Sequence, residues 1–222
     1  MARPIAKDHR EKRSAILKQA AVYFADHGYD RASVNGVASA CGISKSLIYH
    51  YYDSKEQLLF DILHSHLTAL YEGLIALQPA ADPEVQLRQL VRKLLQMYRG
   101  ADAEHRLQLQ STTALPKAQR HILADIQRSI VNEFSQAICA AAPDYLGQAS
   151  DHLRPLTMSL FGMVNWFYLW HQPSRGMSRE SYADLATEIL LGGLTRLQKQ
   201  GQSLYLSDAQ LHLIRSSHDL HP

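Results

Sequence analysis

The sequence predicts an all-α protein: an N-terminal three-helix helix-turn-helix head, joined through a fourth helix to an α-helical body. Three observations carry that prediction. Leucine, alanine, glutamine and arginine dominate, all good helix formers, and strict apolar–polar alternation is hard to find anywhere. Apolar residues recur at helical spacing, with glycines and prolines sparse and mostly between the periodic runs. Finally, "SVNGVASACGISKSLIYHYYDSKEQLL", Ser33 to Leu59, holds two short apolar-patterned segments joined by Cys41-Gly42-Ile43.

Composition narrows the function classes. Apolar residues make up 46% of 222 residues, enough for a core and too many for a disordered chain. A net charge of +2 gives no bulk argument for a nucleic-acid partner. Its distribution is more telling, since residues 1–60 carry nine Lys/Arg against six Asp/Glu, a modestly basic head on a neutral body. Cys41 and Cys139 are far apart and read as reduced thiols. No leader pattern opens the chain, and no run approaches the ~20 apolar residues of a membrane span. The best candidate, Met158 to Trp170, is short and contains Asn165. The expectation is a soluble cytoplasmic protein with no membrane partner.

The elements follow in order. A first helix runs from about His9 to His27 with Ile16, Ala20, Tyr23 and Phe24 on one stripe, and Gly28 suits the left-handed position that ends it. Ser33 caps a short second helix with Val34, Val37 and Ala38 as its apolar side, and Gly42 ends it. Ser44 caps a third helix reaching about Tyr51. Asp53-Ser54 caps a fourth carrying Leu58, Leu59, Ile62, Leu63, Leu67 and Leu70. Longer helices are expected over Pro83–Gly100, Asp102–Leu115, Lys117–Ala141, His152–His171 and Ser178–Lys199. Breaks are expected at Gly100, Pro116, Pro143-Asp144 and Pro173–Gly176, and a tail from Ser203 adds one short helix. The boundaries read as a head over 1–55 and a body over 56–222.

Two short helices joined by a tight glycine-containing turn form a helix-turn-helix, whose second helix enters the major groove of DNA. Here the second of the pair turns Ile43 and Ile48 toward the core and Lys45, Ser46, Tyr49 and His50 outward. Leu47 also faces outward, where a thymine methyl would give it apolar company. Lys45 suits a guanine edge or a phosphate, Ser44 and Ser46 let the helix approach closely, and Tyr49 and His50 reach phosphate oxygens. Ser33, with Ser44, opens a helix N-terminus that favours phosphates. Lys55 sits in the first turn of the fourth helix, where a cation is misplaced for the helix dipole. A phosphate opposite it would resolve the conflict. A plain helical hairpin with a solvated polar face, or one that docks another protein, is the competing reading of these residues.

The stretch "ILKQAAVYFADHGYDRASVNGVASACGISKSLIYHYYDSKEQLL" resembles the DNA-binding head of TetR-family transcriptional regulators. Gly28-Tyr29 match that family's glycine and aromatic after helix one. Gly42, Ile43, Ser44, Ile48, Tyr49, Tyr52, Lys55, Glu56 and Leu58 match its run from helix three into helix four. Ser33 stands where Thr is frequent and Tyr52 where Phe is usual. The resemblance implies a one-component regulator that binds a palindromic double-stranded DNA operator as a homodimer and is released by a small-molecule inducer. It favours a repressor, with an activator of the same fold as an alternative. A helical scaffold protein is the rival class.

The resemblance also implies that the body holds a dimer interface and a ligand pocket. "RPLTMSLFGMVNWFYLWH" is apolar on every side, with Leu156, Leu160, Val164 and Phe167 on one stripe and Met163, Trp166 and Trp170 on another. A helix apolar all round must be covered all round. The following helix places Ala183, Ala186, Leu190, Gly193 and Leu194 on a stripe that lets helices approach closely. Together these stripes are the expected dimer interface, although a core within one chain would also cover them. The C-terminal half is similar to the subgroup that controls fatty-acid and phenylacetate catabolism, which implies an inducer of the acyl-CoA class such as phenylacetyl-CoA. Phe161, Asn165, Trp166 and Trp170 are then candidate pocket residues. Arg92, Lys93, Arg106, Arg120 and Arg128 are scattered cations that no spacing singles out for CoA phosphates.

Nothing in the sequence argues for catalysis, a cofactor or a metal. His64 and His66 are two apart, so they point to different faces of a helix, and no phosphate-cradling glycine loop or nucleophile elbow occurs.

Overall fold

In the first sixty residues glycines and serines set the helix ends, as seen in a computed structural model. It describes the backbone of residues 3–172 and 176–218 and the side chains of residues 11–172 and 176–200. Helix α1 (Arg3–His27) stops at Gly28, whose φ of 76° is the left-handed conformation that a side chain would strain. Ser33 then caps α2 (Val34–Ala40), its hydroxyl accepting the Gly36 N–H at 3.1 Å. Gly42, with φ 66°, makes the turn into α3 (Lys45–Tyr51), which Ser44 caps by accepting from Leu47 N at 3.2 Å. Ser54 caps α4 (Lys55–Ile75) through Gln57 N. Each such cap is worth about 1 kcal/mol.

Helix α1 buries Ile16, Leu17, Ala20, Ala21 and Phe24 and packs on α2 and α4. Between α1 and α2 the approach is set by one pair. The Tyr23 phenol lies over Gly36, where a Cβ would sit 1.9 Å from its Oη and 2.4 Å from its Cζ. Gly36 is therefore the seat of Tyr23, whose ring also stacks on His27 at 4.2 Å.

Beyond α4 the chain forms α5 (Pro83–Met97), α6 (Asp102–Gln110), α7 (Lys117–Ala141), α8 (Pro143–Gln148), α9 (Leu153–Asn165), α10 (Phe167–Trp170) and α11 (Arg179–His218). Several ends differ from the sequence expectation. The helix expected to reach Leu115 stops at Gln110 and continues as a 3₁₀ turn over Thr112–Ala114. There the Thr112 hydroxyl donates to Gln108 O at 2.7 Å, satisfying a carbonyl left open at the helix end. Pro143, expected as a break, opens α8, because proline at a first helical position loses no hydrogen bond. The helix expected over His152–His171 is interrupted at Trp166. Helix α11 runs on through Gly201 to His218 where a separate short tail helix was expected. The expected break at Pro173–Gly176 falls largely outside the described residues.

Contacts divide the chain into two compact units, Met1–Ala76 with Gln96–Ile130, and Leu77–Leu95 with Val131–Pro222. In the first unit α4 packs with α1 and α6. Arg106 Nη1 donates to Ala25 O, a C-terminal carbonyl of α1, at 3.2 Å. This unit also buries a polar trio, His66 on α4, Tyr98 and His105, with ring centroids 4.2 to 6.5 Å apart. Burial foremost, and then the neighbouring His105, pushes the His66 pKa down to about 4, and its Nε2 has no hydrogen-bond partner.

In the second unit α9 packs on α11. Leu160, Val164, Phe167, Ala183, Ala186, Leu190 and Leu194 are buried by the chain's own helices, and Leu156 is half-buried. Among the residues expected at a dimer contact only Gly193 is exposed. The inward stripe of an all-apolar helix is covered first by its own neighbour. What remains outside is the other stripe: Met158, Gly162 and Trp166 on α9 and at its end, and Leu185, Ile189 and Gly192 on α11. Arg92 pairs with Asp184 at 2.5 Å and Arg88 with Glu188, linking α5 to α11.

Two outcomes test this packing. Gly36→Ala should cost about 1–3 kcal/mol in urea unfolding, the range for overpacking. Most of that loss should be absent when the same change is made in a Tyr23→Ala background. His66 provides the second. Free imidazole titrates near 6.5, so between pH 6.5 and about 4 the unfolded state binds a proton that the folded state refuses. Stability should be fully present well above pH 6.5 and fall by about 3 kcal/mol as pH drops to 4. His66→Leu should flatten that limb of a stability–pH curve.

Candidate nucleic-acid interface

On α3 the core contact is made by Ile48, 1% exposed, while Lys45, Ser46, Leu47, Tyr49 and His50 are all exposed. The seven-residue helix is thus anchored on one side and open on the other, as a 3.6-residue period requires. Ser44 and Ser46 share a hydrogen bond of 3.0 Å between their hydroxyls. Lys45 Nζ stands 5.6 Å from the Tyr49 ring centroid. The open face therefore combines an ammonium, two small hydroxyls, a phenol and an imidazole around a helix N-terminus. That set can donate to phosphate oxygens and to base edges.

Leu47 is 38% exposed and also borders an apolar groove of about 320 Å³ with Ile16, Cys41, Ile43 and Tyr51. Burial raises the Cys41 thiol above its ordinary pKa. Ser33 is exposed at the start of α2, with its hydroxyl engaged in the cap.

Lys55 departs from the expectation. Its ammonium donates to the carbonyls of Tyr29 at 2.8 Å, Asp30 at 3.3 Å and Ala32 at 3.0 Å, and stands 4.3 Å from the Tyr29 ring centroid. An ammonium has three N–H donors, so the turn between α1 and α2 occupies all of them. The conflict with the α4 dipole is resolved by these carbonyls, with no phosphate required. Behind the same helix, Arg13 pairs with Asp61 at 2.5 Å. The Tyr52 hydroxyl is buried beside Arg13 with no hydrogen bond closing to it, and burial pushes its pKa up to about 12.

The candidate pocket residues are dispersed. Phe161 is half-buried, edge-on to Phe134 at 5.0 Å, and Asn165 is half-buried. Trp166 and Trp170 are each 54% exposed, and Trp170 lies against Phe167 and Tyr182. Of the scattered cations, Arg92 and Arg106 are engaged as described and Arg128 pairs with Asp125, whereas Lys93 and Arg120 have no ion pair among the described residues. No group of three or more His, Cys, Asp or Glu that could hold a metal occurs among the described residues. Sequence reading passed over a cleft lined by polar residues on α1, α4 and the start of α6. Its signal was polar residues interrupting apolar stripes, as Ser65 and His66 do on α4.

The family of bacterial regulatory proteins called tetR matches residues 16–62, spanning this head. The tetracyclin repressor-like C-terminal domain matches residues 80–194, more than half of the chain. The chain belongs to the TetR family. Members of this family are transcriptional regulators rather than enzymes. Among solved structures, a TetR-family regulator from Bordetella parapertussis 12822 is 31% identical over 81% of this chain and 93% of its own, with a TM-score of 0.74. AibR, in complex with isovaleryl coenzyme A and operator DNA, is 28% identical over 81% of this chain and 98% of its own, with a TM-score of 0.68. The transcriptional repressor KstR2 of Mycolicibacterium smegmatis is 27% identical, covering 84% of this chain and 92% of the repressor. No helix among the described residues is long and apolar enough to cross a membrane.

If the three carbonyls are the partners of Lys55, Lys55→Met should lower unfolding stability by about 2 kcal/mol in the absence of DNA. A phosphate partner would instead leave the free protein's stability unchanged.

Proposed function

We propose that this TetR-family regulator is a homodimeric repressor released from a palindromic operator by an acyl-CoA thioester. Residues 1–55 act as the DNA-binding head and residues 56–222 as the ligand-binding and dimerisation region. The observation that carries the reading is α3 itself, with Ile48 as its buried anchor and Ser44, Lys45, Ser46, Leu47, Tyr49 and His50 presented together. One head spans few base pairs, so two heads related by a twofold axis are needed for useful specificity. The outward stripe of Met158, Gly162, Leu185, Ile189, Gly192 and Gly193 supports dimerisation, because it is apolar, small at three positions and left open by the chain's own packing.

The acyl-CoA class is supported by the likeness to AibR, whose complex holds isovaleryl coenzyme A, and by the likeness of the C-terminal half to the phenylacetate-responsive subgroup. Ligand acts only through unequal affinity for DNA-competent and DNA-incompetent arrangements. A 100-fold release corresponds to a difference of about 2.7 kcal/mol.

Fluorescence anisotropy on the DNA upstream of the protein's own coding sequence tests this. Specific binding should weaken steeply with salt, as phosphate contacts release counterions. Lys45→Ala should cost about 1–3 kcal/mol of operator affinity. Isovaleryl-CoA, phenylacetyl-CoA or a long-chain acyl-CoA should release the DNA. Binding that no thioester releases overturns the inducer class, and salt-independent association unaffected by Lys45→Ala overturns the DNA reading.

A further inference from the structure

The cleft between α1, α4 and the start of α6, about 250 Å³ in volume, is lined by no residue of α2 or α3. A junction of three helices is ordinarily filled by large apolar side chains. Here most of the lining is small or polar. Leu17 and Ile62 supply the apolar part, and Ser65 and His66 lie beside Ile62 along the same face of α4. His66 is 8% exposed and its Nε2 has no hydrogen-bond partner.

Two charges face this space from different helices, Lys18 on α1 and Glu104 on α6. They feel each other electrostatically, yet no ion pair closes between them, and neither has another ion-pair partner among the described residues. Burial, the largest influence on Glu104, disfavours its carboxylate and Asp102 adds to this, while Lys18 offsets part of it.

We propose that this cleft is a binding site for a small zwitterion of amino-acid size, its carboxylate on Lys18, its ammonium on Glu104 and a short aliphatic side chain on Leu17 and Ile62. Charge complementarity selects the class. A simple carboxylate would leave Glu104 facing a like charge, and a simple amine would do the same to Lys18. A zwitterion leaves neither unpaired. At ~30 Å³ per water the space corresponds to roughly eight waters, which suits a ligand of valine's size. The Ser65 hydroxyl supplies a further hydrogen-bonding group for the ligand's charged end, with the His66 ring beside it.

Binding is measured on the full chain without DNA, so its outcome is independent of the operator reading. Isothermal titration with L-valine, isobutyrate and isobutylamine compares the zwitterion with each half of its charge. L-valine should bind at least about tenfold more tightly than either analogue. Lys18→Met and Glu104→Gln should each weaken valine binding by about tenfold or more while the circular dichroism melt is retained. The His66 imidazole resonances of the wild-type protein should shift on adding valine, a readout that requires no variant. Isobutyrate binding as tightly as valine, valine binding indifferent to Glu104→Gln, or no binding and no His66 shift at millimolar valine would each overturn the proposal.

Discussion

The ammonium of Lys55 sits on three carbonyls of the turn that joins α1 to α2, and the arrangement of the head depends on that seat. The turn exists because Gly28 takes a left-handed conformation, which leaves the carbonyls of Tyr29, Asp30 and Ala32 within reach of one cation. Lys55 opens α4, so the same contact ties the start of α4 to the end of α1. Helix α3 lies between those two anchors in the chain and is held from within by Ile48. Its outward side chains are therefore presented by a framework whose ends are hydrogen-bonded, and this is the rigidity that groove recognition requires. Tyr23 over Gly36 sets the separation of α1 and α2 in the same framework, by shape instead of charge.

The rest of the first unit is less completely satisfied. An unpartnered buried nitrogen on His66 carries a cost of about 1–3 kcal/mol, which an apolar side chain of similar size would avoid. The trio of His66, Tyr98 and His105 lies where α4 and α6 pack, next to the charged cleft. Polar groups retained at such a junction are expensive as structure and useful near sites, and the proposed zwitterion site lies beside His66.

In the second unit, burial and pairing separate residues that look alike in sequence. Leu160 and Met158 both belong to a helix apolar on every side, yet one is 1% exposed and the other 41%. Arg92 and Lys93 are adjacent cations in sequence, yet Arg92 forms two hydrogen bonds to Asp184 while Lys93 has no ion pair among the described residues. Reading a helix as amphipathic requires a polar face as reference, and α9 offers little of one.

What the sequence determined by itself was the all-helical class, the capped and glycine-closed helices of the head, and the outward set on α3. The physical reason is locality. Ser33, Ser44 and Ser54 cap N–H groups three residues away, Gly28 and Gly42 act through their own φ, and a buried Ile48 dictates the facing of a seven-residue helix. Only the tertiary structure decided the partner of Lys55, which stripe of α9 and α11 is inside, the interruption at Trp166, and the meeting of Lys18 with Glu104 across a cleft. Each depends on which faces of distant helices come together. Helical period alone shows that a face exists and leaves open what it meets.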